Sequence, residues 1–135
     1  MFDKKKHIFE RFNFNTPISK KEIEEVEKEL KVKFPQDYLD FMLKTNGGEG
    51  TIGEENYLRL WKIEELAENN KDYSVSEFAP GLLIIGSDGA GTAFGYDFRN
   101  KKPQLVEVSF IGLDVEKPNY KTNDFFEFIE YLYSY

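Results

Sequence analysis

Apolar residues at helical spacing mark the first helix of the chain. Ile23, Val26 and Leu30 recur every three or four positions, and the positions between them are mostly Glu and Lys. This pattern predicts an amphipathic helix with one apolar stripe. Ser19 and Glu22 form a capping-box pair, in which each side chain can bond to the other residue's backbone amide. We therefore expect the helix to begin directly after Ser19.

A second helix is predicted from Pro35 onward. Proline suits the first helical position because its missing amide would have no partner there, and Asp37 in the first turn interacts favourably with the helix dipole. The stretch 46–48 (Asn-Gly-Gly) ends the helix, since asparagine and glycine readily adopt left-handed backbone geometry. The inner face of this helix is formed by Leu39, Met42 and Leu43. The two helices are expected to form a hairpin.

The middle of the chain shows the patterns of β-strands. Residues 57–61 alternate and predict a strand, which follows a glycine-rich loop over 47–53 and precedes a helix over 62–70. Further along, a continuous apolar run is typical of a central strand covered on both faces. Two more strands, separated by a polar turn, complete an antiparallel meander with it. The three strands of the meander are predicted at 82–85, 92–98 and 104–110.

The two ends of the chain differ in character. Residues 125–133 carry apolar side chains at helical spacing after cap-type residues, so they predict a last amphipathic helix. Tyr131, Tyr133 and Tyr135 alternate around this helix and cannot all face inward. Residues 1–17 mix lysine and phenylalanine and are interpreted as a helical turn or arm before the domain, with the lysines at 4–6 as a solvated end.

These elements together predict an α+β fold. We expect an antiparallel sheet, consisting of the meander and a flanking strand, packed with the N-terminal helical hairpin and the C-terminal helix. The chain of 135 residues has the size of one ordinary domain. The sequence therefore predicts an N-terminal arm over 1–17 and a single domain over 18–135.

Charge and cysteine content restrict the class of partner and the compartment. The chain has 25 acidic and 18 basic residues, and its formal net charge of −7 repels nucleic acid and attracts basic partners. It has no cysteine, which excludes disulfides, Cys-ligated metal sites and thiol nucleophiles and fits a reducing compartment. We find no run of signal-peptide or membrane-span character. We expect a cytoplasmic protein that binds a basic protein, with no nucleic acid and no membrane as partner.

The glycine-rich segment 86–91 follows an apolar strand, which is where phosphate-binding loops occur. However, it lacks a Gly-Lys-Ser/Thr ending, its glycines are not spaced as G-x-G-x-x-G, and a strand rather than a helix is predicted after it. A structural hairpin turn is the better interpretation, with glycines supplying positive φ and Asp88 bonding to its own turn. The predicted turn glycines are Gly86, Gly89 and Gly91.

The sequence offers no convincing metal or cofactor site. His7 is the only histidine and precedes the predicted core, so no transition-metal site is expected. Glu49, Glu54 and Glu55 cluster among glycines but lack the alternating Asp/Asn pattern of a calcium loop. Solvated loop charges are the better interpretation, and we expect no cofactor.

Catalysis is also disfavoured by the inventory of side chains. The chain has no cysteine, and its single histidine, His7, lies outside the predicted core. The sequence therefore does not support a Ser-His-Asp or Cys-His catalytic site. Paired carboxylates such as Glu49 with Asp88 or Asp97 remain conceivable, as in glycosidases. With 25 acidic residues, pairs of this kind arise by chance. We expect a binding protein rather than an enzyme.

Four segments nevertheless occur in a distinctive order. They are Phe-Pro-Gln-Asp-Tyr-Leu at 34–39, Asn-Gly-Gly at 46–48, Trp61, and the apolar strand with its glycine-rich turn at 81–91. In this order and at these distances they resemble the SUKH superfamily, from Ser19 to the C-terminus. Bacterial members are mostly immunity proteins that neutralise toxin domains, and fungal relatives regulate cell-wall assembly. The resemblance implies a single SUKH-like domain over 18–135 without a catalytic constellation to transfer.

The resemblance also implies a function. The expected role is a protein-binding immunity protein that occludes a cognate toxin domain, of the nuclease type and basic in character. The alternative is a regulatory scaffold or adaptor domain in cell-wall or signalling assembly. Because the partner-binding surface varies between members, the candidate interface residues are chosen by charge and predicted exposure. They are Glu49, Glu54, Glu55, Asp88 and Asp97.

Overall fold

A computed structural model describes residues 7–134, so the lysines at 4–6 and Tyr135 lie outside the described residues. Within that range the chain forms a seven-stranded antiparallel sheet in which each strand pairs with the next in sequence. The strands are β1 (Arg11–Phe14), β2 (Gly48–Ile52), β3 (Asn56–Leu60), β4 (Leu82–Ser87), β5 (Thr92–Asp97), β6 (Gln104–Ser109) and β7 (Tyr120–Thr122). The helices are α1 (Lys20–Leu30), α2 (Gln36–Thr45), α3 (Leu66–Asp72), α4 (Val75–Phe78) and α5 (Phe125–Ser134). The predicted α+β class is confirmed.

The two N-terminal helices begin and end at or next to the signals in the sequence. The Ser19 hydroxyl accepts a hydrogen bond from the Glu22 amide at 3.2 Å and caps α1. The helix ends where Lys31 adopts left-handed geometry. Helix α2 begins one residue later than predicted, at Gln36, so Pro35 directly precedes it. The helix ends at Asn46, which adopts left-handed geometry as predicted. Local signals therefore predicted the start of α1 at Ser19 and the end of α2 at Asn46, whereas the end of α1 at Lys31 was not predicted.

One face of the sheet, which we call the inner face, packs against α2 and α5. The core there includes Tyr38 and Phe41 of α2 and Phe125 and Phe128 of α5, all almost fully buried. The Asp37 carboxylate accepts a hydrogen bond from the Phe125 amide at 2.8 Å. This bond satisfies a free amide at the start of α5 and joins the two helices.

The opposite face, which we call the outer face, is covered only in part. Val75 and Ala79 of the α4 segment and Leu113 of a loop pack against β4, β5 and β6 in a second apolar cluster. All six residues of β4 are buried, as expected for a strand covered on both sides. Among residues 7–134, no comparable apolar cluster covers the outer face of β1, β2 and β3.

Helix α3 lies beside β4 where β3 ends. Strand β3 pairs with β4 at Arg59 and Leu60, and the Trp61 amide donates one further hydrogen bond to the Ile85 carbonyl at 2.9 Å. Beyond that point the buried side chain of Asn70 replaces the missing strand. It donates to the Ile84 carbonyl at 2.9 Å and accepts from the Ile84 amide at 2.8 Å. The residues predicted as one helix over 62–70 form a short 3₁₀ turn (Ile63–Glu65) followed by α3.

The N-terminal segment belongs to the sheet instead of preceding it as an arm. Strand β1 pairs with β2, which occupies the stretch predicted as a glycine-rich loop. Ile8, Phe9 and Phe12 are buried in the inner-face core. The glycines explain the difference, because they allow two backbones to approach closely as well as to turn. At Gly50 a Cβ atom would lie 2.2 Å from the Arg11 carbonyl oxygen.

Two tyrosines in the inner-face core are expected to weaken the fold at alkaline pH. The Tyr38 and Tyr96 hydroxyls are buried and have no hydrogen-bond partner among the described residues. Burial raises the pKa of both phenols well above 10. In the unfolded chain they ionise near pH 10, so the folded state keeps protons that the unfolded state loses. Stability is therefore complete below pH 10 and declines as the pH rises above it.

The measurement is the free energy of unfolding at pH 9 and pH 11 for the wild type and for Tyr38→Phe/Tyr96→Phe. The double variant should lose about 3 kcal/mol less than the wild type between these two values, since each tyrosine contributes about 1.4 kcal/mol over the one pH unit above its unfolded pKa near 10. At neutral pH the variant should be no less stable, because the removed hydroxyls are unpaired. Equal alkaline losses in the two proteins would contradict the assignment.

Candidate protein-binding face

The uncovered part of the outer face is a flat polar surface on β1, β2 and β3. Alternate residues of these strands point into the core, among them Phe12, Ile52, Leu58 and Leu60. The residues between them point outward, because successive side chains of a strand alternate between its two faces. The outward residues are Arg11, Asn13, Glu49, Thr51, Tyr57 and Arg59.

Glu49, Tyr57 and Arg59 form a bonded group at the middle of this surface. Glu49 lies directly opposite Arg59 in the β2–β3 register. The Tyr57 hydroxyl donates to the Glu49 carboxylate at 2.6 Å, and the Arg59 Nε lies 3.4 Å from the same oxygen. The Glu49 carboxylate raises the pKa of Tyr57, because it accepts the hydrogen bond that the Tyr57 hydroxyl donates. The side chains of Glu49 and Arg59 are about half exposed, at 52% and 54%, so the pair can also meet a partner.

Asp88 lies in the turn between β4 and β5. Its carboxylate accepts from the amides of Ala90 at 2.8 Å and Thr92 at 3.1 Å, so it holds the turn in shape. The turn lies against Arg59, since a Cβ atom on Gly89 would be 3.4 Å from the Arg59 Nε. Asp88 and Glu49 are therefore brought to the same region of the outer face.

The three glycines of the segment 86–91 have different roles. Gly89 has a φ of 81°, in the left-handed region. Gly86 lies inside β4 at an irregularity in the pairing with β5, and a Cβ atom there would be 2.4 Å from the Arg59 carbonyl oxygen. Gly91 has open space around it. Only Gly89 of the three has positive φ, and Gly86 serves close strand packing.

Glu54 and Glu55 lie in the turn between β2 and β3 and are exposed. They border an open cleft of about 410 Å³ together with Glu10, Arg11 and His7. The structure thus places these two carboxylates at the edge of the sheet, in a cleft that Tyr133 and Ser134 of α5 also line, and both are exposed. The interpretation of a solvated turn agrees with this position.

Asp97 is separated from the other four candidates. It lies at the opposite end of β5 from the Asp88 turn and is 6% exposed. Arg99 donates to its carboxylate at 2.8 and 2.9 Å and also bonds to Glu116. Hydrogen bonding from Arg99 lowers the pKa of Asp97. Its charge therefore holds a loop in place and is not presented to a partner.

Aromatic residues beside the outer face were only partly anticipated. The Trp61 and Tyr73 rings are nearly parallel with centroids 6.1 Å apart, and Tyr73 stacks on Phe110 at 4.6 Å. Trp61 stood out in the sequence, whereas Tyr73 and Phe110 lie in separate segments without a shared pattern. Of the C-terminal tyrosines, Tyr131 stacks on Tyr120 at 3.7 Å and Tyr133 is 40% exposed.

The outer face carries side chains of the kinds that occur in protein–protein interfaces. Among residues 7–134, no three His, Cys, Asp or Glu side chains are grouped so that they could hold a metal ion. Over the same range no helix is long and apolar enough to cross a membrane. The surface offers bonded charges, hydroxyls and aromatic rings, which are the groups that proteins use to bind proteins.

Comparison with known proteins agrees with this class. The SMI1/KNR4 family (SUKH-1) matches residues 17–131. The chain therefore belongs to the SMI1/KNR4 family, as the resemblance to the SUKH superfamily predicted. Membership makes it a domain of the immunity or cell-wall-regulator type, in a family known for non-catalytic proteins.

A relative with a partial match comes from Bacillus subtilis (strain 168). It is the uncharacterized protein YnaB, which is 37% identical over 75 residues. These residues are 56% of this chain and 47% of the relative, so the match covers about half of each protein. The name of this relative states no function, so the similarity adds none to the family match.

Proposed function

We propose that this protein is a cytoplasmic immunity protein that binds a cognate toxin domain and occludes it, without catalytic activity or cofactor. The observation that carries the proposal is the family match over residues 17–131, in combination with an exposed polar face that contains acidic side chains. A nuclease-type toxin suits the charge, because nucleases need basic grooves for phosphate and this chain has a net charge of −7.

Four of the five candidate carboxylates are suitable for steering the encounter. Glu49, Glu54 and Glu55 are exposed, and Asp88 is half-buried in the neighbouring turn. Charges near an interface accelerate association more than they strengthen the final complex. Asp97 is excluded from this role because its carboxylate is buried against Arg99.

The test measures binding to the C-terminal domain of a toxin-type polypeptide encoded beside the gene of this protein. Co-expression of that domain with the wild-type chain should restore growth, and the two proteins should form an isolable complex. Absence of both effects would remove the immunity role and favour the regulatory scaffold of the cell-wall type.

Charge reversal should reveal steering. We expect Glu54→Lys/Glu55→Lys to associate with the toxin domain about tenfold more slowly at low salt, because local attraction is lost. The difference should largely disappear at high salt, where charges are screened. The matched control is Glu24→Lys/Glu25→Lys, on the exposed side of α1. Each double variant changes the net charge from −7 to −3, since each substitution adds two units. Equal slowing by both would show that overall charge acts rather than this face.

A further inference from the structure

Beside the uncovered part of the outer face lies an exposed group of large apolar side chains. Tyr73 is 49% exposed, Phe78 66% and Ile111 90%. Together with the half-buried Trp61 and Phe110 we call this group the apolar patch. Stacked rings connect Trp61, Tyr73 and Phe110, and Phe78 borders the same groove as Gly112, next to Ile111. Grouped, exposed large apolar side chains on a folded domain mark interaction sites.

The segments that carry the apolar patch are held in place by buried side chains of the second apolar cluster. Val75 and Ala79 anchor the α4 segment, which carries Phe78, in the outer-face core. Leu113 is also buried there, although its backbone has a positive φ of 44°. The Ile111 amide donates to the Ser109 side chain at 3.1 Å, and the burial of Leu113 keeps Ile111 pointing outward at the tip of the turn. Side chains held in this way lose little entropy on binding.

The rim of the apolar patch is acidic on balance, although it also includes Arg99, which lines the groove beside Phe78 and bonds to Glu116. The segments that build it, 61–80 and 109–118, contain seven acidic residues and three lysines. Asp72 adjoins Tyr73 in the chain, and Glu77 adjoins Phe78. Both carboxylates are exposed, and neither takes part in the ion pairs found among residues 7–134. The seven acids are Glu64, Glu65, Glu68, Asp72, Glu77, Asp114 and Glu116, and the three lysines are Lys62, Lys71 and Lys117.

We propose that the apolar patch is the anchor of the complex, and that it receives an apolar side chain of the toxin domain surrounded by lysine or arginine. This inference rests on the proposed function and names the part of the surface that holds the partner. Interfaces concentrate their binding energy in central aromatic residues inside a polar rim. A second copy of this chain is disfavoured as occupant, since its own acidic rim would oppose the first.

The location of the patch agrees with the steering role of the outer face. Trp61 lies two residues beyond Arg59 at the end of β3, so the apolar patch adjoins the Glu49 and Asp88 region. The side chain of Asn46 accepts from the Ile63 amide at 2.9 Å and so fixes the turn that follows Trp61. The outer face would accelerate the encounter, and the patch would slow dissociation.

The experiment compares variants in binding the toxin domain used above. Phe78→Ser/Ile111→Ser should bind at least tenfold more weakly than the wild type, mainly through faster dissociation. Its thermal midpoint should stay close to that of the wild type, because both side chains are largely exposed. Ile111→Lys should bind more weakly than Ile111→Glu, since the proposed partner surface is basic. The matched control is Tyr133→Ser, an exposed aromatic on α5 outside the patch.

Each outcome bears on one of the two proposals. If the wild type binds and the folded Phe78→Ser/Ile111→Ser variant binds equally well, the anchor is elsewhere and the proposed function stands. If Tyr133→Ser weakens binding as much as the double variant, the anchor assignment is wrong. If Ile111→Lys and Ile111→Glu bind with equal affinity, the partner surface around the anchored side chain is not basic. A wild type that sediments as a dimer, with a monomeric double variant, would assign the patch to self-association. If the wild type fails to bind, the proposed function falls and the anchor falls with it.

Discussion

Gly50→Ala is expected to destabilise the protein by about 3 kcal/mol or more, because the added methyl group meets backbone. A Cβ atom at Gly50 would lie 2.2 Å from the Arg11 carbonyl oxygen and 2.7 Å from the Phe12 Cα. These atoms cannot move away without separating β1 from β2. Such separation would expose the buried rings of Phe9 and Phe12. Denaturant unfolding with the wild type as reference measures the effect.

Gly91→Ala is the matched control for this prediction. No atom lies within 4 Å of the position where its Cβ atom would be, and its φ is outside the positive range. We expect a change within about 0.5 kcal/mol, as for ordinary surface substitutions. If Gly50→Ala were equally harmless, close packing of β1 on β2 would not be the reason for glycine at this position.

Asn70→Leu should cost about 3 to 4 kcal/mol, although leucine has the same branched side-chain shape as asparagine. The substitution leaves the amide and the carbonyl of Ile84 buried without their partner, and each unsatisfied group costs about 1 to 3 kcal/mol. The Leu66 carbonyl also loses the bond that Asn70 donates at 2.8 Å. The unfolding free energy from urea titration is the quantity to compare.

The neighbouring asparagine is a control for helix propensity and size. Asn69→Leu makes the same chemical change one position earlier in α3, at a half-buried side chain. We expect it to change stability by less than about 1 kcal/mol, because no buried backbone group among residues 7–134 is hydrogen-bonded to its side chain. Similar losses for both variants would mean that Asn70 does not act by completing the edge of β4.

The sequence by itself determined the elements that depend on local signals. The α1 cap at Ser19, the end of α2 at Asn46 and the fully buried strand β4 were all predicted from neighbouring residues. The C-terminal helix likewise followed from spacing. These features need only short-range hydrogen bonds and a consistent apolar face, and both can be seen in a short window of residues.

Only the tertiary structure decided which glycines pack between strands and which carboxylates are buried in ion pairs. Gly48 and Gly50 were interpreted as loop residues, yet they form β2 because β1 approaches them from a distant part of the chain. Asp97 was selected as an exposed charge, yet the fold buries it against Arg99. A glycine permits both turning and close packing, and a carboxylate suits both solvent and a buried ion pair.

The apolar patch is also a product of tertiary structure. Trp61, Tyr73 and Phe110 come from three segments that meet only because α3 and the loop after β6 pack on the same side of the sheet. No spacing along the chain connects them. Local sequence determines which elements form, and long-range packing determines which side chains remain outside. A binding surface depends on the second of these, so it was beyond what the sequence could determine.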